Sequence, residues 1–128
     1  MFIRRSDFDQ IGGFDPNIFL YYEETDISRR LKKLGKKTVL VPSIEYKHIH
    51  GLSTEKSIGI KLEQKLSLLY VVHKHQGWLA YKILLIYFGI KYFFSTLINP
   101  KKWPLLKATL KGMPLHLSLK QKQKINSN

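Results

Sequence analysis

Apolar residues recur at spacings of four and three at Ile27, Leu31 and Leu34, which is one face of a helix. The pattern predicts a helix over residues 24–34, with acids in its first turn and bases in its last, matching the helix dipole, and with Gly35 ending it. Upstream, residues 6–11 read as a short helix that Ser6 caps and Gly12 closes. "GGFDPN", 12–17, is a turn by composition, and "IFLYY", 18–22, is a short apolar run expected to be buried and extended. "KTVLVP", 37–42, reads as a strand stopped by Pro42, and "SIEYKHIH", 43–50, as its loosely alternating continuation. From residue 54 the pattern turns helical. Residues 57–76 place Leu62, Leu66, Leu69 and His73 along one face, and 79–98 form an apolar stretch of membrane-spanning length, interrupted only by Lys82 and Lys91. "NPKKWP", 99–104, breaks it; a short amphipathic piece follows at 105–111, then a polar, lysine-rich tail expected to be disordered.

The charge pattern divides the chain at about the same place. Residues 1–54 carry nine Lys/Arg and seven Asp/Glu; residues 55–128 carry 13 Lys, no Arg and two Glu, and no acid follows Glu63. A net charge of +13 so placed points to an anionic partner, either lipid or nucleic acid. Nucleic acid is the weaker reading. No Arg, the usual reader of base edges, follows residue 30, and the basic half holds the most apolar segment. Trp78 and Trp103 flank that segment, which suits a membrane interface, and lysines can snorkel to lipid phosphates. Lys91 near its middle favours shallow attachment over a true span, with burial against further protein as the competing use. The 128 residues suffice for one modest domain or part of a larger one. The chain has no cysteine, hence no disulfide framework and no thiolate metal site. Its opening residues lack the basic-then-apolar order of a signal peptide, so a cytoplasmic location at the membrane's inner face is expected.

Three of the nine acids, Glu23, Glu24 and Asp26, fall within four residues. Like charges this close repel. Either the cluster prepares a carboxylate to take a proton, or it decorates a helix start, where the dipole welcomes acids.

The stretch "FIRRSDFDQIGGFDPNIFLYYEETDISRRLKKLGKKTVLVPSIEYKHIHG", residues 2–51, resembles the acceptor-side half of a family 2 glycosyltransferase of the rhamnosyltransferase-like kind. Its landmarks are an Arg-rich start, Gly-Gly-Phe-Asp, an aromatic run, Glu-Glu-x-Asp followed by Arg, a short Val-rich segment with Pro, and a His near a Gly. The resemblance implies an α/β fold. Residues 1–54 would be an incomplete segment of a GT-A, Rossmann-like domain, and residues 55–128 a helical, basic, membrane-associating extension with a lysine-rich tail. It also implies inverting transfer of a sugar from a nucleotide-sugar donor to a surface-polysaccharide or lipid-linked glycan acceptor. Glu24 stands at the family's general base, where Asp is usual, and Glu23 and Asp26 complete the catalytic motif. Gly13, Phe14 and Arg30 fall in the acceptor and diphosphate vicinity. His48 maps to a histidine ligand of a divalent metal, Mg²⁺ or Mn²⁺, with His50 a lesser candidate on the same strand face.

The metal-binding Asp-x-Asp and the nucleotide-binding strands of that family have no counterpart in these residues. The chain is therefore expected to be a C-terminal fragment, unable alone to bind a nucleotide-sugar well. A non-catalytic, membrane-associated remnant is the alternative reading. Arg30 is also placed to form a fork-shaped salt bridge to Asp26 or a nearby acid, while His73, His75 and His116 are expected to be ordinary surface or interfacial residues.

Overall fold

The computed structural model describes residues 1–39, 41–43 and 57–122, and every regular element among them is helical. The elements are α1 (Arg5–Gln10), α2 (Glu23–Lys33), α3 (Ile58–Ile98) and α4 (Trp103–Leu110), with short 3-10 segments at Pro100–Lys102, Leu115–Leu117 and Leu119–Lys122. The expected α/β fold with a Rossmann-like GT-A sheet is thereby overturned: the described residues hold no strand. The strand read at 37–42 shows why. β-Branched residues favour a strand when neighbouring strands and a core cover them, but Val39 and Val41 stand exposed, at 73% and 49%. Residues 37–39, 41 and 42 are in neither helix nor strand. Of the extended continuation, residues 44–50 lie outside the described residues.

"IFLYY" does not run extended either. Tyr21 and Tyr22 take left-handed φ values of 68° and 67° and turn the chain sharply into α2. That helix buries Asp26 and Ile27, with its acids at the start and Arg30, Lys32 and Lys33 at the end.

α3 opens on Ser57, whose hydroxyl accepts the Ile60 amide at 3.2 Å. It is interrupted at Gly77, at φ 87° and ψ −179°, a conformation essentially confined to glycine. The two arms, 58–76 and 78–98, fold back on one another. Lys65 Nζ lies 5.2 Å from the centre of the Phe88 ring, and the rings of His73 and Tyr81 are 5.2 Å apart. In a straight helix, residues 65 and 88 would stand about 35 Å apart. The hairpin and α4 share one core: Leu66 and Leu69 from the first arm, Phe88 and Tyr92 from the second, Leu105, Leu106 and Ala108 from α4, and Met113 beyond it. Asn99 accepts the Lys101 amide at 3.1 Å, and Pro100 helps end the second arm.

The expected disorder of the tail is corrected as far as Lys120. Ser118 Oγ donates to Glu63 Oε1 at 2.9 Å, and the Leu119 amide donates to Glu63 Oε2 at 2.7 Å. Glu63 is 2% exposed. A buried carboxylate needs such donors, and the tail supplies them.

Candidate active site

The site is assembled where the turn after α1, the first turns of α2 and the end of the first α3 arm meet. Gly12 and Gly13 both adopt positive φ, 75° and 73°, and direct the Ile11 and Gly13 carbonyls toward α2. Arg30 grips both: Nη1 donates to Ile11 O at 2.6 Å, and Nη2 to Gly13 O at 2.7 Å. Its Nε donates to Asp26 Oδ2 at 2.8 Å. The fork geometry of the guanidinium suits this three-way hold.

Asp26 is fully buried. Its Oδ1 lies 2.7 Å from both His75 Nε2 and Lys74 Nζ. Lys74 Nζ also contacts Asp15 Oδ2 at 2.6 Å. Tyr70 Oη donates to the same Asp15 oxygen at 2.9 Å, and the Asn17 amide to Oδ1 at 2.8 Å. Burial pushes the Asp15 carboxyl up, but the hydrogen bonds from Lys74, Asn17 and Tyr70 outweigh it and bring it down to about 2. Asp26 is lowered in the same way, its desolvation overcome by Lys74, His75 and Arg30. Desolvation pushes Lys74 down, yet its two carboxylate partners hold it above the usual lysine range.

The three clustered acids thus part company. Asp26 has both oxygens engaged and fastens α2 to α3. Glu23 is half-buried, and its Oε2 has no hydrogen-bond partner. Glu24 is exposed in the first turn of α2, next to its neighbour's carboxylate. Gly13 contributes its carbonyl to the Arg30 grip, and Phe14 is 59% exposed with its ring edge against Phe8 at 5.2 Å. Glu24 is the exposed residue of the three.

Of the expectations about histidines, one changes and one concerns residues outside the described ones. His75 is not a surface residue: its side chain is 2% exposed. An ionised carboxylate only accepts hydrogen bonds, so the proton is on Nε2 and buried Nδ1 is left without a partner. His48 and His50 lie outside the described residues. No group of three or more His, Cys, Asp or Glu side chains gathers as a metal site among the described residues. Lys74, His75, Tyr70 and Asp15 were not singled out from the sequence. Asp15 lies within the turn motif, but the other three sit well over 50 residues further on, in a helix whose periodic signal concerns Leu62, Leu66, Leu69 and His73.

No family model matches the chain, and no solved structure matches it. Over 80 residues it is 35% identical to proteins described as N-acetylglucosaminyl-diphospho-decaprenol L-rhamnosyltransferase in two Mycobacterium tuberculosis strains, CDC 1551/Oshkosh and ATCC 25618/H37Rv. The match takes in 61% of this chain and 26% of each relative, so the chain spans about a quarter of the length of the curated relatives it matches. This partial match supports a glycosyltransferase-like relationship at the general level of sugar transfer.

Proposed function

We propose that the chain supplies the acceptor-side part of a glycosyltransferase, with Glu24 as the general base. The observation that carries this reading is the division of labour among the clustered acids: Asp26 is buried and held by Arg30, Lys74 and His75, while Glu24 is exposed on the rigid helix start that Asp26 anchors. The reaction is a single displacement with inversion. The acceptor hydroxyl oxygen attacks the anomeric carbon of a nucleotide-sugar, and the bond from that carbon to the diphosphate oxygen breaks. The nucleoside diphosphate leaves with the bonding pair. Glu24 takes the hydroxyl proton as the new bond forms, because a neutral hydroxyl is a poor nucleophile.

Support for the acceptor class comes from the partial relatives, whose described acceptor is a sugar linked through diphosphate to a polyprenol. A lipid-linked glycan is the corresponding acceptor here. Family 2 membership and retention of a divalent metal belong to the same proposal. The metal's mapped ligand, His48, lies outside the described residues.

The test uses the enzyme that carries this segment, a nucleotide-sugar donor and a polyprenyl-diphosphate-linked sugar acceptor. Glu24→Gln keeps the shape and removes the proton acceptor, so turnover should fall about 10²- to 10⁴-fold with donor affinity unchanged. Wild-type turnover by this variant would place the base elsewhere.

A further inference from the structure

The second arm of α3 is apolar on both sides, and the protein covers only one. Its inner side, with Tyr81, Leu84, Leu85, Phe88 and Tyr92, packs on the first arm and α4. Its outer side carries Leu79, Ile83, Ile86, Ile90, Phe93 and Leu97, each between 54% and 70% exposed. At about 100° per residue, these six fall within a sector of roughly 80°. Lys82 lies at one edge of this sector; on the other side the exposed Phe94, Tyr87 and Ile98, at 60%, 54% and 89%, widen the face as far as Lys91, about 180° from Lys82. Each lysine is drawn toward an aromatic ring: Lys82 Nζ lies 5.4 Å from the Trp78 ring centre, and Lys91 Nζ 5.7 Å from that of Tyr87. Beyond the arm the apolar face continues across Leu110, 74% exposed, through an open groove of about 260 Å³ lined by Gly89, Ile90, Phe93, Phe94, Leu106 and Leu110.

We propose that this outer face lies in the surface of an anionic bilayer, parallel to it, with Lys65, Lys82 and Lys91 on lipid phosphates. The reading stands apart from the proposed chemistry at Glu24. Charge names the occupant. Lys65 and Lys91 come together across the hairpin beside the Phe88 and Tyr87 rings, which are 5.4 Å apart, and neither makes an ion pair among the described residues. Burial lowers the Lys65 ammonium from its ordinary range, and the repulsion of Lys91 lowers it further; a phosphate between them would relieve that repulsion. Lys101, Lys107 and Lys111 are exposed on and beside α4, so the rim of the face is cationic. Trp78 and Trp103, 63% and 54% exposed, stand at the two ends of the arm, and indole favours the headgroup region.

α3 is long and apolar enough to cross a membrane, but the fold argues against a span. The first arm and α4 are packed along the inner side of the second, and a crossing would carry buried Glu63 and the lysines of both into hydrocarbon, which is costly. Lying flat keeps them out of the hydrocarbon, in water or at the headgroups.

The test adds the full chain to vesicles of phosphatidylcholine alone or with a quarter phosphatidylglycerol, followed by flotation and tryptophan emission. Binding is expected to need the anionic lipid, to weaken with salt and to blue-shift the emission. Lipids brominated near the headgroup should quench both tryptophans. The exchange of Lys65 and Lys91 for Gln removes two cations that each contribute about 5-fold in affinity, so the double variant should bind about 25-fold more weakly. Both side chains reach solvent, so the fold should tolerate the change; Phe93→Ser, on the exposed face, tests the apolar half independently. Vesicle binding indifferent to anionic lipid would overturn the proposal. So would chain that associates with itself in the absence of vesicles and stays off them, or chain that prefers DNA at physiological salt.

Discussion

Asp26 Oδ1 lies 2.7 Å from His75 Nε2 and joins the start of α2 to the end of the first α3 arm across 49 residues of sequence. The other carboxylate oxygen is held by Arg30 at 2.8 Å. The most buried acid of the motif is therefore an anchor. Its removal strands three cationic or hydrogen-bonding partners at once.

Asp26→Asn is accordingly expected to destabilise the chain by about 3–5 kcal/mol, the range for breaking a buried ion pair by deleting one partner. Urea denaturation should show a lower midpoint at unchanged slope. A loss below about 1 kcal/mol would mean that the cluster relaxes into water when Asp26 goes.

Acid should weaken the same junction in a defined window. The Asp15 carboxyl is lowered from 3.8 to about 2, so the folded state binds its proton less readily than the unfolded chain. Its stabilising effect, roughly 2 kcal/mol, is complete above the unfolded value and is lost as pH falls from about 4 through 2. Asp26 shifts in the same direction and reinforces the trend. Thermal melts at stepped pH should show the decline, and Lys74→Met, which removes the cation common to both acids, should move its midpoint upward. An unchanged midpoint in that variant would show that Lys74 does not hold the two carboxylates.

Much of the helical layout was legible because it follows from local rules. Ile27, Leu31 and Leu34 set the register of α2, its charges follow the dipole, and the change of character near Gly77 separates two helices. The sheet was misread because the β-branched residues of 37–42 carry a propensity that only neighbouring strands can realise. The site was half legible. The carboxylate cluster marks itself in sequence, and the pairing of Arg30 with Asp26 follows from i,i+4 spacing. Lys74 and His75 reach Asp26 only because the chain returns, and nothing in a linear pattern reports that return. Glu63 escaped notice for the same reason: its partners, Ser118 and the Leu119 amide, lie in a tail whose composition looks disordered.

The hairpin depends on one glycine. An added Cβ at Gly77 meets nothing within 4 Å, but its φ of 87° is strained for any other residue. Gly77→Ala should cost about 1–3 kcal/mol with no clash involved. Gly77→Asn should cost about as much, because asparagine's tolerance of positive φ applies to the left-handed helical region and not to ψ near 180°. A loss well below about 1 kcal/mol in either variant would show that the hairpin does not need the glycine-only conformation.

Exposure separates chemistry from stability at the acid cluster. Glu24 is exposed at the head of α2, and among the described residues no ion pair engages it. Glu24→Gln should therefore leave the unfolding midpoint within about 0.5 kcal/mol of wild type, while sugar transfer by the enzyme carrying this segment falls about 10²- to 10⁴-fold. Asp26→Asn should lose stability first and activity as a consequence, so lowering the temperature or adding an osmolyte should recover part of its turnover. Neither treatment can restore a missing proton acceptor, and Glu24→Gln should stay inactive under both. Glu24→Asp keeps the carboxylate and shortens its reach by one methylene, so it should retain more activity than Gln. If Glu24→Gln loses stability as Asp26→Asn does, Glu24 belongs to the anchoring cluster. If it keeps both stability and turnover, Glu23, whose Oε2 is buried without a partner, becomes the carboxylate to substitute next.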